Sequence, residues 1–151
     1  MTEQQSFEAL KQQAADDMER RVGAPVRQHF GPEAMEPVYA AILSLTPEQY
    51  ESWKRVDETL IKELNAAVWK GLDPVTEEGQ RIAYLHRRWI TIVGQLPYDP
   101  RGHRKLVELG TEEGRFNARY EKVVPGCSNF LRDAIRAYVK TMWGAWETGK
   151  L

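Results

Sequence analysis

Three histidines (His29, His86 and His103) and one cysteine carry most of the reactive chemistry in this 151-residue chain. Histidine titrates near neutral pH and binds metals. His86 and His103 fall on different predicted helices and could meet in space. A metal site would usually need a third ligand placed with them, and the sequence shows none. We therefore predict ordinary polar or pocket histidines, with no metal and no cofactor.

Cys127 follows Pro125-Gly126 at the predicted start of the last helix. A helix N-terminus lowers the pKa of a thiol, which would favour a reactive thiolate. The alternative, which we favour, is a small buried residue packed against a neighbouring helix. The chain has no nucleotide-binding, metalloprotease or hydrolase-elbow motif, so we expect no enzymatic activity.

The chain has five Trp, six Tyr and four Phe, and seven of these aromatic residues cluster in its middle: Trp53, Trp69, Tyr84, Trp89, Tyr98, Phe116 and Tyr120. Trp53 and Trp89 lie on apolar stripes typical of a core, whereas Tyr84 leaves its stripe and Tyr98 falls in a Pro-rich loop. Small-molecule sites are mostly apolar and aromatic with a few polar groups. We therefore predict a groove between helices. Its candidate ligand-binding residues are Trp53, Tyr84, His86, Trp89, Tyr98, His103, Phe116 and Tyr120.

Length and charge limit the alternatives. One domain over residues 1–151 is expected, and a formal charge of -1 gives no case for direct nucleic-acid binding. No apolar run is long enough to cross a membrane, and the polar N-terminus lacks the apolar core of a secretory signal. We expect a cytoplasmic protein, either a monomer or a weak homodimer.

The helical signals predict an all-α fold of about seven helices. Apolar residues recur at spacings of three and four, and no segment alternates with period two. Thr46 to Gln49 has the pattern of a capping box, and Thr76 is a second predicted helix cap. Gly23 and Pro25 are expected to end the first helix. Residues 1–31 are more polar than the rest and are predicted to form a mobile N-terminal part.

From Trp89 to Ile135 the chain resembles the TipAS antibiotic-recognition domain, the effector module of MerR-type regulators. Similarity extends to Phe7, to Thr46-Pro47-Glu48 with Trp53, and to Gly71-Leu72-Asp73-Pro74. The motifs that carry it are Trp89, Pro97-Tyr98, His103, Leu106-Val107-Glu108, Arg115-Phe116, Tyr120, Pro125-Gly126-Cys127 and Phe130-Leu131-Arg132-Asp133-Ala134-Ile135. The resemblance implies a globin-like fold without haem, with an interhelical groove that receives a bulky, multi-ring antibiotic.

The departures from the family shape the functional expectation. No cysteine lies between Trp89 and Pro100, so covalent capture, known in some members, is not expected. The chain starts at the effector module without a DNA-binding domain, which favours a stand-alone binder that sequesters its ligand in drug resistance or drug sensing. Gly110 and Gly114 would widen or loosen the pocket. The alternative is a helical interaction module for a transcriptional regulator, with the aromatics as core and an apolar patch at Trp143 and Trp146.

Overall fold

The computed structural model describes residues 2–113, 118–122 and 124–147, and every regular element in them is helical. A π-helical turn, Glu19–Gly23, joins the first two helices. The α-helices are α1 (Glu3–Met18), α2 (Ala24–Phe30), α3 (Glu36–Leu43), α4 (Pro47–Trp69), α5 (Glu77–Ile90), α6 (Pro100–Glu113), α7 (Ala118–Glu121) and α8 (Cys127–Glu147).

The predicted all-α class is therefore confirmed. Six of these helices have eight or more residues and two are shorter, α2 with 7 and α7 with 4. The predicted number of about seven helices and the globin-like arrangement are not established by this architecture. In the described part of the chain, no helix combines the length and the apolarity needed to cross a membrane.

Side-chain hydrogen bonds confirm two of the predicted helix starts. Thr46 Oγ1 accepts from the backbone N–H of Gln49 at 3.2 Å, and the Gln49 side chain accepts from the backbone N–H of Thr46 at 2.9 Å. Thr76 Oγ1 likewise accepts from the backbone N–H of Gly79 at 3.2 Å. These bonds satisfy amides at the helix N-terminus that have no partner within the helix.

The predicted end of the first helix at Gly23 and Pro25 is wrong. The chain continues through the π-helical turn into α2 and stops at Gly31, whose φ is +111°. Pro25 lies in the first turn of α2, where its missing N–H removes no helical hydrogen bond. A Cβ at Gly23 would lie 1.8 Å from Oε2 of Glu19, so a side chain there would displace the Glu19 carboxylate. The glycine and proline signals for a helix end are local. The space beside Gly23 is instead filled by the Glu19 carboxylate, which is held in place by Arg27 and Tyr39.

Helices α4 to α8 form what we call the body. α6 and α8, α4 and α5, and α5 and α8 pack against one another. Their shared core contains Leu60, Leu64, Ile82, Leu131 and Ile135, all essentially inaccessible to solvent. Aliphatic residues on facing stripes of long helices can interlock in this way, so the body is a rigid support for the side chains it presents.

Residues 3–45, containing α1, the π-helical turn, α2 and α3, form a second unit that we call the N-terminal wall. It joins the body through an apolar cluster that includes Met18, Met35, Ile42, Trp53 and Trp89. The predicted mobile part, residues 1–31, contributes Ala15 and Met18 to this cluster. Whether it becomes ordered only when a ligand binds stays a prediction.

Candidate functional site

A cavity of about 280 Å³ lies between the N-terminal wall and the body. One side is built by the end of α1, the π-helical turn, α2 and the start of α3. The other side is built by the end of α5, the loop that follows, α6 and one residue of α7. The volume is close to the lower end of the ~300–1,000 Å³ that small-molecule sites usually occupy.

The wall side of the cavity is almost entirely apolar. Its side chains are aliphatic, thioether or aromatic, apart from one arginine. They are Met18, Arg21, Val22, Val26, Phe30, Ala34, Met35 and Val38. Methionine is unbranched and polarizable, so Met18 and Met35 can adapt to ligand shape and make contact with aromatic rings.

The body side carries a chain of polar contacts. The Tyr98 hydroxyl lies 2.7 Å from Nδ1 of His103, and Nε2 of His103 lies 2.8 Å from Nδ1 of His86. The two imidazoles are stacked with centroids 5.1 Å apart. His103 is only 1% exposed and His86 is also buried, so these bonds satisfy polar atoms that would otherwise be costly to bury.

Burial keeps His103 and Tyr98 uncharged. The pKa of His103 lies well below its usual value because burial disfavours the charged imidazolium, and His86 and Arg87 add to the effect. Burial also raises the pKa of Tyr98, with a further contribution from Tyr138. At neutral pH Tyr98 and His103 therefore face the cavity as a neutral phenol and a neutral imidazole.

Arg87 fixes Tyr98 in place. Its guanidinium carbon lies 4.1 Å from the centroid of the Tyr98 ring, a cation–π geometry. Its Nη1 also donates to the hydroxyl of Tyr138 at 3.0 Å. Arg87 thus connects α5, the loop after α5 and α8, and it holds the Tyr98 ring where the hydroxyl reaches His103.

Trp89 forms the inner aromatic surface of the cavity. Its ring stacks on Trp53 with centroids 6.4 Å apart and planes 18° apart, and Nε1 of Trp53 donates to the Trp89 carbonyl oxygen at 3.0 Å. The guanidinium carbon of Arg21 lies 5.4 Å from the centroid of the Trp89 ring. Trp89 is thus supported from behind by Trp53 and faces a cation from the wall.

The loop after α5 has an unusual backbone. Ile92 and Val93 both have φ of +53°, a left-handed conformation that β-branched residues rarely adopt. The loop is held by a bond from the Val93 N–H to the Arg88 carbonyl at 2.8 Å and one from the Leu96 N–H to the Thr91 carbonyl at 3.0 Å. Strain of this kind persists only when the surrounding structure enforces it, and it is frequent at ligand sites.

The family model of the TipAS antibiotic-recognition domain matches residues 22–138 of the 151-residue chain. The chain belongs to the TipAS family. All cavity-lining residues fall inside the match except Met18 and Arg21. No curated protein and no solved structure matches the chain significantly.

Five of the eight predicted site residues line the cavity of this TipAS domain: His86, Trp89, Tyr98, His103 and Tyr120. The predicted meeting of His86 and His103 is confirmed. Whether these residues bind a ligand stays a prediction, because the structure contains none.

Two of the other three predicted residues, Trp53 and Tyr84, do not line the cavity. Trp53 lies behind Trp89 and lines a smaller pocket of about 160 Å³. Tyr84 is 43% exposed, because it faces the side of α5 opposite Ile82, His86 and Trp89. Phe116 lies outside the described residues.

Sequence reasoning missed the contribution of the N-terminal wall to this TipAS cavity. Met18 and Val22 fall in residues 1–31, which the sequence predicts to be a polar, mobile part of the chain. Periodicity shows that a face is apolar and does not show what the face meets.

Cys127 lies away from the cavity, in the core of the body. Its thiol is buried and donates to the Asn65 side-chain oxygen at 3.3 Å. Burial, with a contribution from the charge of Glu121, raises the pKa of Cys127 to about 11. The residue is therefore a protonated thiol at neutral pH, which supports the buried alternative of the sequence analysis.

Proposed function

We propose that this TipAS domain binds an uncharged, hydrophobic, ring-containing small molecule without covalent bond formation, and that it acts by sequestering an antibiotic or a similar drug-like compound. The observation that carries the proposal is the cavity itself. It combines an apolar, methionine-containing wall with a supported tryptophan face and a Tyr98–His103–His86 chain in which Tyr98 and His103 are neutral. Apolar surface supplies the affinity, and the polar edge orients the ligand.

The size of the cavity limits how the ligand binds. About 280 Å³ accommodates one ring system and not a whole multi-ring peptide antibiotic. In the proposed mode one ring system enters between Trp89 and the wall, and the remainder of a larger ligand lies at the opening or displaces the wall. Each aromatic pair adds ~0.5–1.5 kcal/mol beyond the buried area. A few such contacts are compatible with micromolar binding, about -8 kcal/mol.

The neutral polar edge defines which ligand groups fit. A hydroxyl or amide of the ligand can donate to or accept from the histidine–tyrosine chain without a charge having to be buried. An ionised group on this side of the ligand would have to lose its hydration without a fixed counter-charge from His103. The proposal therefore favours amide- and hydroxyl-bearing ring systems over charged ones.

The proposal contains no catalytic or covalent step. The only thiol in the described part of the protein, that of Cys127, is buried in the body, and its pKa is raised. Ligand capture would then be reversible, in a cytoplasmic and globin-like domain as the family resemblance implies. Sequestration requires only that the affinity exceed that of the antibiotic for its target.

The proposal can be tested by titrating the protein with thiopeptides, gyrase-targeting peptides and planar dyes while following tryptophan fluorescence and Tm. A ligand at a hundred times its Kd should stabilise the fold by about 2.7 kcal/mol. Ala34→Phe fills the cavity from the wall and should abolish the response. Ala40→Phe is the matched control, because Ala40 is exposed on α3 and does not line the cavity. Absence of any response across the panel, or equal responses of both variants, would contradict the proposal.

A second candidate function is a helical interaction module for a transcriptional regulator, and one observation favours it. Trp69, at the end of α4, is 82% exposed, and the nearby loop residue Val75 is 68% exposed. An exposed tryptophan is a typical anchor of protein interfaces. The patch first predicted for this role, Trp143 and Trp146, lies outside the described side chains. Trp69→Ser should abolish association with a regulator subunit in light scattering and leave ligand-induced fluorescence changes intact.

A further inference from the structure

A second concave region lies between α6 and α8, with a volume of about 450 Å³. We call it the basic groove. Three arginines, one lysine and two small apolar residues line it: Arg101, Arg104, Arg136, Ala137, Val139 and Lys140. The cavity residues of α6, His103 among them, face a different side of the helix from Arg101 and Arg104, since helical neighbours repeat at three and four. The basic groove is therefore separate from the cavity.

The four cations converge from two helices. Arg101 and Arg104 are three residues apart on α6, and Arg136 and Lys140 are four apart on α8, so each pair shares one helix face. All four side chains belong to exposed residues. Like charges at these spacings weaken an isolated helix by a few tenths of a kcal/mol, and a bound anion would remove that cost.

Two of the guanidinium groups are oriented by a shared carboxylate. Oε1 of Glu108 accepts from Nε of Arg136 at 2.8 Å and from Nε of Arg104 at 3.3 Å. Burial opposes ionisation of Glu108, but the hydrogen bonds from the two arginines outweigh it and lower its pKa. Each of these bonds uses Nε, one of the five N–H donors of a guanidinium. Glu108 thus holds two arginines across the groove through their Nε atoms, and a second carboxylate, Asp133, lies 3.8 Å from Nη1 of Arg136.

We propose that the basic groove binds a small soluble anion that carries adjacent phosphate groups. Guanidinium forks match phosphate oxygens in a bidentate manner, and such bonds are roughly twice as strong as neutral ones. The four cations outnumber the two carboxylates that pair with Arg104 and Arg136, Glu108 and Asp133, and this excess suits a ligand with more than one negative charge. Ala137 and Val139 add apolar surface that an organic part of the ligand can cover.

The arrangement favours a compact anion over duplex nucleic acid. The cations surround one concave region and do not form a stripe along the surface, whereas a duplex presents phosphates in long, regularly spaced rows. The chain also has a net charge of -1, so its overall field does not attract a polyanion over long distances.

The test uses inorganic pyrophosphate as the probe, with the whole chain and isothermal titration calorimetry at low and at physiological salt. Arg101→Gln combined with Lys140→Gln should weaken binding by ~10-fold or more, since charged hydrogen bonds are lost. The matched control is Lys62→Gln with Lys70→Gln, which removes the same two charges from exposed positions on and just after α4. It should change binding by less than ~2-fold, because distant charges are screened.

Circular dichroism establishes that both double variants remain folded, as expected for exposed positions. Failure of pyrophosphate to bind, equal weakening by both double variants, or preferential binding of a duplex oligonucleotide would each overturn the proposal. A negative result here leaves the proposed ligand cavity untouched, because the two sites share no lining residue.

Discussion

The body and the N-terminal wall of this TipAS domain are stabilised differently. The body joins three long helices, α4, α5 and α8, through fully buried aliphatic residues such as Leu64, Leu131 and Ile135. The wall uses shorter helices, and several of its tertiary links are polar. Nζ of Lys11 donates to the carbonyl oxygens of Leu43 at 2.8 Å and Leu45 at 3.1 Å, and Arg27 pairs with Glu19 at 2.7 Å.

The difference explains where the cavity lies. Interlocked long helices leave little free volume, whereas a wall of short helices meets the body along an incomplete interface. The apolar cavity is found at this interface and is bordered by half-buried wall residues such as Val22 and Val38. The basic groove between α6 and α8 differs, because it is lined mainly by exposed charged side chains. A binding site between a rigid support and a separately attached wall can admit a ligand without disrupting the core.

The largest expected effect contrasts the two regions directly. Leu64→Ala in the body should lower the free energy of unfolding by ~3–5 kcal/mol, because three buried heavy atoms are lost from a packed interior. Met18→Ala also removes three heavy atoms, but Met18 borders the cavity, so its loss should cost only ~1–2 kcal/mol. Urea unfolding of both variants measures the difference. Equal costs would show that the wall is packed as tightly as the body.

A smaller effect is expected for the polar link of the wall. Lys11→Met leaves two carbonyl oxygens of the wall without their buried ammonium donor and should cost ~2 kcal/mol. Amide hydrogen exchange should accelerate in α1 and α3 and remain unchanged in α4 and α8. Lys62→Met, at an exposed position on α4, is the control. Faster exchange throughout the body would contradict a separately attached wall.

The pH dependence of stability should report the buried imidazole. The pKa of His103 is lowered in the folded state, so the unfolded chain binds the proton first as the pH falls. The contribution of neutral His103 to the free energy of unfolding should therefore be fully present above pH ~6.5. Below that pH the free energy of unfolding should fall by up to about 1.4 kcal/mol per pH unit, until the folded-state pKa is reached. His103→Asn should flatten this slope between pH ~6.5 and ~5. An unchanged slope would rule out His103 as its source.

The smallest expected effect concerns a surface ion pair of the body. Glu63 and Arg81 pair at 3.0 Å, but solvent screens exposed pairs of this kind. Glu63→Gln should change the free energy of unfolding by less than ~0.5 kcal/mol. A loss several times larger in thermal unfolding would mean that the α4–α5 contact depends on charge as well as on its apolar core.

Local features of this fold could be predicted from the sequence. The capping box at Thr46 and the cap at Thr76 depend on residues within three positions. The end of α4 follows from Gly71, whose φ of +69° lets the Leu72 amide bond back to the Ala67 carbonyl at 3.0 Å. Such signals require no knowledge of the remainder of the chain.

Features that depend on tertiary contacts could not be predicted. Gly23 was predicted to end a helix, but the Glu19–Arg27–Tyr39 cluster stabilises a π-helical turn there. This cluster joins residues far apart in sequence, so the local pattern around Gly23 does not reveal it. Tyr84 looked like a groove residue because its departure from the apolar stripe was interpreted as function instead of exposure. The wall side of the cavity was missed because the stripe that carries Met18 gives no information on its partner.

The central claim is that the ligand enters between the wall and the body, and methionine methyl NMR tests it most directly. Met18 and Met35 line the cavity, whereas Met142 on α8 does not. With ¹³C-labelled methyl groups and the antibiotic that gives the largest fluorescence change, we expect the Met18 and Met35 signals to shift and to show contacts with ligand ring protons. The Met142 signal should stay in place. Unchanged Met18 and Met35 signals at saturating ligand would contradict the account.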